Sequence, residues 1–145
     1  MTTLLKEEFQ EGIKEYEEGN HLTLVGTGFW ISSDVRELTI GLEFNHKHYN
    51  FEYDSMEDAI DTFFYILTKR KKITNYSKGL RIFKTKVEIE IKDEKPIDFG
   101  TTFTLPLQFW KKTKTEITHQ DAYIATEKVI EVWKELINYA QQTVK

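Results

Sequence analysis

His46 and His48 are the side chains whose type and spacing first suggest chemistry. On an extended strand, residues two apart point to one face. The pair could therefore offer two imidazole nitrogens to a transition metal, with Glu43 and Glu52 close enough in sequence to add ligands. The flanking pattern argues otherwise. Leu38, Ile40, Leu42 and Phe44 alternate with other residues before the pair, and Tyr49, Phe51 and Tyr53 alternate after it. That reads as a β-hairpin whose loop is Asn45-His46-Lys47-His48, a place where side chains splay into solvent. His21 and His119 complete no motif with the pair. The expectation is no bound metal and no cofactor, with His46 and His48 as the metal candidates the sequence offers.

Other chemical patterns are equally sparse. Gly26-Thr27-Gly28 has two glycines of a phosphate-cradling loop but lacks the third, the Lys-Ser/Thr pair and a following helix, so a turn or bulge is expected. Glu88 and Glu90 share a strand face with lysines, which favours ion pairing over a carboxyl tuned for proton transfer. No nucleophile-elbow pattern is present. The chain contains no cysteine, which excludes disulfides, iron–sulfur clusters, Cys-ligated zinc and a thiol nucleophile. A catalytic residue is not identified, and a non-enzymatic protein is expected.

Charge is the stronger signal. The formal net charge is −4, but it is segregated along the chain. Residues 1–18 carry six acids and two lysines, residues 33–62 eight acids and two bases, and residues 69–92 nine bases and two acids. Lys69, Arg70, Lys71, Lys72, Lys78, Arg81, Lys84 and Lys86 form one basic stretch interleaved with Tyr76 and Phe83. Lys111, Lys112 and Lys114 form another. Basic side chains with interleaved aromatics are what phosphate-dominated nucleic-acid binding requires. The two acidic segments oppose that reading. Such segregation also suits electrostatically steered association with a protein.

Aromatic residues make up 14% of the 145, enough for an aromatic-rich core in one domain spanning 1–145. Trp30 and Trp110 each follow a phenylalanine and so point to the opposite strand face. With Tyr49 and Tyr53 they are the candidates for contact with a partner.

The elements that would position these residues follow from periodicity. Leu5, Phe9, Ile13 and Tyr16 predict an amphipathic helix over 3–18. Short strands are expected within 21–32, 37–44 and 49–53, then a helix capped at Asp54 or Ser55 with Met56, Ile60, Phe63, Phe64 and Leu67 buried and Lys69–Lys72 at its end. Residues 81–92 and 102–110 read as strands, with Phe103, Leu105, Leu107 and Phe109 inward. Thr118-His119-Gln120-Asp121 reads as a capping box opening a helix to about residue 142. The order α-β-β-β-α-β-β-α predicts an α+β fold, a curved, mostly antiparallel sheet of five or six strands with three amphipathic helices on its apolar face. The start, MTTLLKEEFQEG, predicts no secretory signal, and no run is apolar enough to span a membrane. A soluble cytoplasmic protein without a membrane partner is expected. The function expected is binding of a protein partner, in the manner of small acidic toxin-neutralising proteins or phage and secretion accessory proteins. The alternatives are nucleic-acid binding and a small-molecule or enzyme pocket between sheet and helix.

Overall fold

The computed structural model describes residues 12–16 and 20–127. Among them, strands dominate. β1 (Ile13–Tyr16), β2 (His21–Leu24), β3 (Phe29–Ser33), β4 (Glu37–Leu42) and β5 (Asn45–Asn50) form an antiparallel meander in chain order. Helix α1 (Met56–Thr68) leads to β6 (Arg70–Lys78), β7 (Arg81–Glu90), β8 (Ile97–Phe103) and β9 (Thr113–Gln120). These four strands form a second antiparallel sheet in the order β8-β7-β6-β9.

The core lies between the sheets. Leu22, Leu24, Phe29, Ile31, Ile40 and Leu42 project from one face of the first sheet and meet Phe63, Ile66 and Leu67 of α1. Ile73, Val87, Ile89 and Phe99 close the core from the second sheet. Burying each such side chain contributes about 1.5–3 kcal/mol relative to leaving it exposed. Thr102 of β8 ties the sheets together. Its Oγ1 lies 2.8 Å from Asn45 Oδ1 and 3.0 Å from the Phe44 carbonyl.

Helix α1 starts where Ser55 Oγ accepts the Asp58 N–H, with Glu57 and Asp58 in its first turn. Its buried face is Ala59, Phe63, Ile66 and Leu67, while Met56 is largely exposed. Its last carbonyls are each met by a donor. Thr68 Oγ1 donates to Phe64 O, Lys69 N to Tyr65 O and Lys71 Nζ to Ile66 O, and the Tyr123 and Ile124 N–H groups both donate to Leu67 O. The helix end is thus sewn to β6 and to the chain that leaves β9.

The α+β expectation of three helices on one sheet is corrected by two sheets and, among the described residues, one helix that they share. Ile13–Tyr16, expected inside a helix, pair antiparallel with His21–Leu24 as β1. Cross-strand hydrogen bonds replace the helical ones there, and the rest of the 3–18 prediction lies outside the described residues. Thr118 belongs to β9, paired with Ile73, so it opens no helix. Helical backbone begins only at Thr126, and the remainder of that expected helix also lies outside the described residues. β6 was hidden because its basic start was read as a helix end. Residues 104–112 are not a strand, and Leu105, Leu107 and Phe109 face solvent rather than core. Pro106 lacks the N–H a ladder needs. The β4–β5 turn is Glu43-Phe44, with Glu43 at φ 55°, which moves His46 and His48 out of the loop and onto β5. Glutamate in a left-handed turn position gives no local sequence signal.

Candidate binding surfaces

The histidines fall on the solvent side of the first sheet. Register aligns Thr23, Trp30, Gly41 and His46 in one row and His21, Ser32, Thr39 and His48 in the next. The rings touch in succession: Tyr16 to His21 at 5.9 Å, His21 to Trp30 at 5.6 Å, Trp30 to His46 at 5.9 Å and His46 to His48 at 4.9 Å. Gly41 makes this possible, because Trp30 lies across it and a methyl group there would overlap the indole. The indole N–H donates to Glu43 O at 3.2 Å. His48 Nδ1 sits 3.0 Å from Glu37 Oε1 and 3.1 Å from Thr39 Oγ1. Strand geometry therefore brings the two metal candidates together. Among the described residues, however, no group of three or more His, Asp or Glu side chains is placed to hold an ion.

The basic residues divide into three sets. Lys71 is fully buried and unavailable to a partner. Its Nζ donates to Ile66 O at 2.9 Å and to Asp121 O at 2.8 Å, and it stands 3.5 Å from the centre of the Tyr123 ring. Burial pushes its ammonium down to about 8. Burial likewise pushes the Tyr123 hydroxyl up. Arg70, Lys72 and Lys86 are engaged with acids: Arg70 with Glu90 and Asp121, Lys72 and Lys86 with Glu88. The Lys86 bond holds the Glu88 carboxyl below its ordinary range. His119 adds a contact of 3.4 Å to Glu90. Lys69 caps the helix with its backbone.

The remaining cations gather at the far end of the second sheet. Residues 104–112 leave β8 beside β7 and enter β9 beside β6, so they cross over the tip of the β6–β7 hairpin. Thr104 N donates to Phe83 O, Lys78 Nζ to Phe109 O at 2.7 Å and Lys111 N to Gln108 O. Lys84 lies over Tyr76, 4.9 Å from the ring centre. Leu80 at the hairpin tip is fully exposed, Leu105 is 82% exposed, Phe109 72% and Trp110 68%. Leu107, Phe103 and Ile82 are also exposed. Lys78, Arg81, Lys111, Lys112 and Lys114 stand beside these apolar side chains. Sequence reading named the lysines of this patch but took its leucines for core. The available signal was the absence of acids: residues 73–87 and 99–115 hold seven basic residues and no Asp or Glu.

Of the aromatic candidates, Trp110 belongs to this patch and Trp30 to the ring row. Tyr53 is exposed beyond β5. Tyr49 is partly buried against the core and its hydroxyl donates to Thr62 Oγ1 at 2.6 Å. A cleft of about 490 Å³ opens between the second sheet and the β4–β5 turn, lined by residues that include Phe44, Ile73, Asn75, Phe83, Thr102 and Gln120. It lies between the two sheets, not between sheet and helix. No protein-family model matches the chain, and no curated protein or solved structure matches it either.

Proposed function

We propose that this is a non-enzymatic binding protein that docks, through the acid-free end of its second sheet, on a partner with an acidic surface. One observation carries the reading: exposed Leu80, Leu105, Leu107, Phe109 and Trp110 share that end with Lys78, Arg81, Lys111, Lys112 and Lys114. Apolar side chains exposed together supply contact area, and a single sign of charge steers the encounter. Nucleic acid fits less well. Of the eleven cations that reading would use, Lys71 is buried and Arg70, Lys72 and Lys86 are paired to acids.

A photoreactive phenylalanine analogue placed at Leu105, and in a separate protein at the exposed turn residue Val35, tests the docking surface in cells of the source organism. Adducts are expected from position 105 and none from 35, with loss of the adduct in Lys111→Glu/Lys112→Glu. Equal adducts at both positions, or none at 105, would remove the proposal.

A further inference from the structure

We infer that the acidic partner is an anionic lipid surface, a statement that rests on the docking reading and narrows it. The position of the patch is the first reason. Its apolar side chains stand at one end of the second sheet, on the β6–β7 tip at Leu80 and on the crossing segment at Leu105 and Leu107, each beside Lys or Arg side chains. A lipid surface can receive exposed aliphatic side chains at its acyl boundary while its headgroups meet the cations beside them.

The mix of side chains is the second reason. Leu105 to Lys112 carries exposed aliphatic side chains, two exposed aromatic rings and two lysines. These are the classes a bilayer interface accommodates together, the aliphatic groups in hydrocarbon, indole rings at the interface and lysines reaching headgroup phosphate. The third reason is charge. Leaving out Lys86, which is paired with Glu88, the six cations of the two acid-free stretches leave a net −10 for the rest of a chain whose total is −4. An anionic surface therefore attracts this end and repels the remainder, which fixes the orientation of approach. The Thr104 N–H bond to Phe83 O and the Lys78 bond to Phe109 O hold the crossing segment on the hairpin, so the apolar residues are presented together before contact. No helix among the described residues is long and apolar enough to cross a membrane. The reading of the sequence expects no membrane partner, but resting on a bilayer needs no spanning segment.

The absence of cysteine permits a clean test. Leu107→Cys and Val35→Cys are each labelled with an environment-sensitive nitrobenzoxadiazole dye. They are mixed with phosphatidylcholine vesicles or with vesicles containing about 30% phosphatidylglycerol, a composition that supplies the surface charge required. Unlabelled full-length protein is co-sedimented with the same vesicles. Binding is expected only to the anionic vesicles. The dye at 107 should brighten and shift to the blue while that at 35 stays unchanged. Lys111→Glu/Lys112→Glu should lower partitioning at least about tenfold, since each basic residue near such a surface contributes several-fold. Leu105→Ser/Leu107→Ser should also lower it while leaving the unfolding midpoint unchanged. No sedimentation with anionic vesicles, an equal dye response at 35, or undiminished binding of the serine variant would overturn the lipid assignment. Failure on vesicles with position-105 cross-links to a protein, a nucleic acid or a second copy would sink lipid and keep docking. Failure on vesicles with no such cross-links would sink both.

Discussion

Lys71→Met tests whether a lysine is buried in its charged form at the seam between α1, β6 and the chain after β9. The native amine falls to about 8 from an ordinary 10.5 because burial penalises the charged form. Between those values the unfolded chain holds a proton that the native protein has released, so unfolding takes up a proton and stability rises with pH. Integrated from pH 7 to pH 10, this one group adds about 2–3 kcal/mol to the stability of the wild type. The two carbonyls that accept from Nζ and the Tyr123 ring beneath it favour the charged amine, which makes that figure a ceiling. Methionine has no such proton. It leaves Ile66 O and Asp121 O without this donor, at about 1–3 kcal/mol for each carbonyl left unsatisfied. Urea unfolding of both proteins at pH 7, 8, 9 and 10, followed by circular dichroism, gives the comparison. Tyrosines and the other lysines titrate in both proteins and cancel in the difference. The wild-type advantage should grow with pH and reach its steepest slope at about pH 9, midway between the native and unfolded values. A difference that stays flat across the range, or shrinks, would refute the claim that this amine is held charged at a cost.

Leu105→Ser should change unfolding free energy by less than about 0.5 kcal/mol, whereas Phe63→Ala should cost about 3–5 kcal/mol, because only the second side chain is buried. A large loss from the serine variant in urea titration would show the tip leucines to be core. Gly41→Ala puts a methyl group where the Trp30 indole lies, so it should cost about 1–3 kcal/mol and alter the Trp30 emission. Zinc added to the protein should leave the melting temperature unchanged, since His46 and His48 find no third ligand among the described residues. A rise that disappears in His46→Ala would contradict this.

Much of the strand content was legible in the alternation of residues 37–42 and 81–90, and so was α1, whose Ser55 cap and acidic first turn are local signals. So was the Lys86–Glu88 ion pair, since residues two apart on a strand share a face. Two elements were misread for one physical reason. Ile13–Tyr16 and Thr113–Gln120 carry no decisive periodicity of their own, and each is a strand because a neighbour supplies its hydrogen bonds.

The candidate surface divides in the same way. Charge and hydropathy are properties of residues, so the sequence alone determined that the chain has acidic and basic segments, no cysteine chemistry and enough aromatic side chains for a core. Which lysines are free was a tertiary decision. Lys71 is consumed by carbonyls from α1 and from Asp121, fifty residues away in the chain. Only the folded chain places Lys111 and Lys112 beside Gly79 and Leu80, and only there do Leu105 and Leu107 turn outward. Alternation reports which residues share a face of a strand, but the fold decides whether that segment is a strand and whether anything covers it.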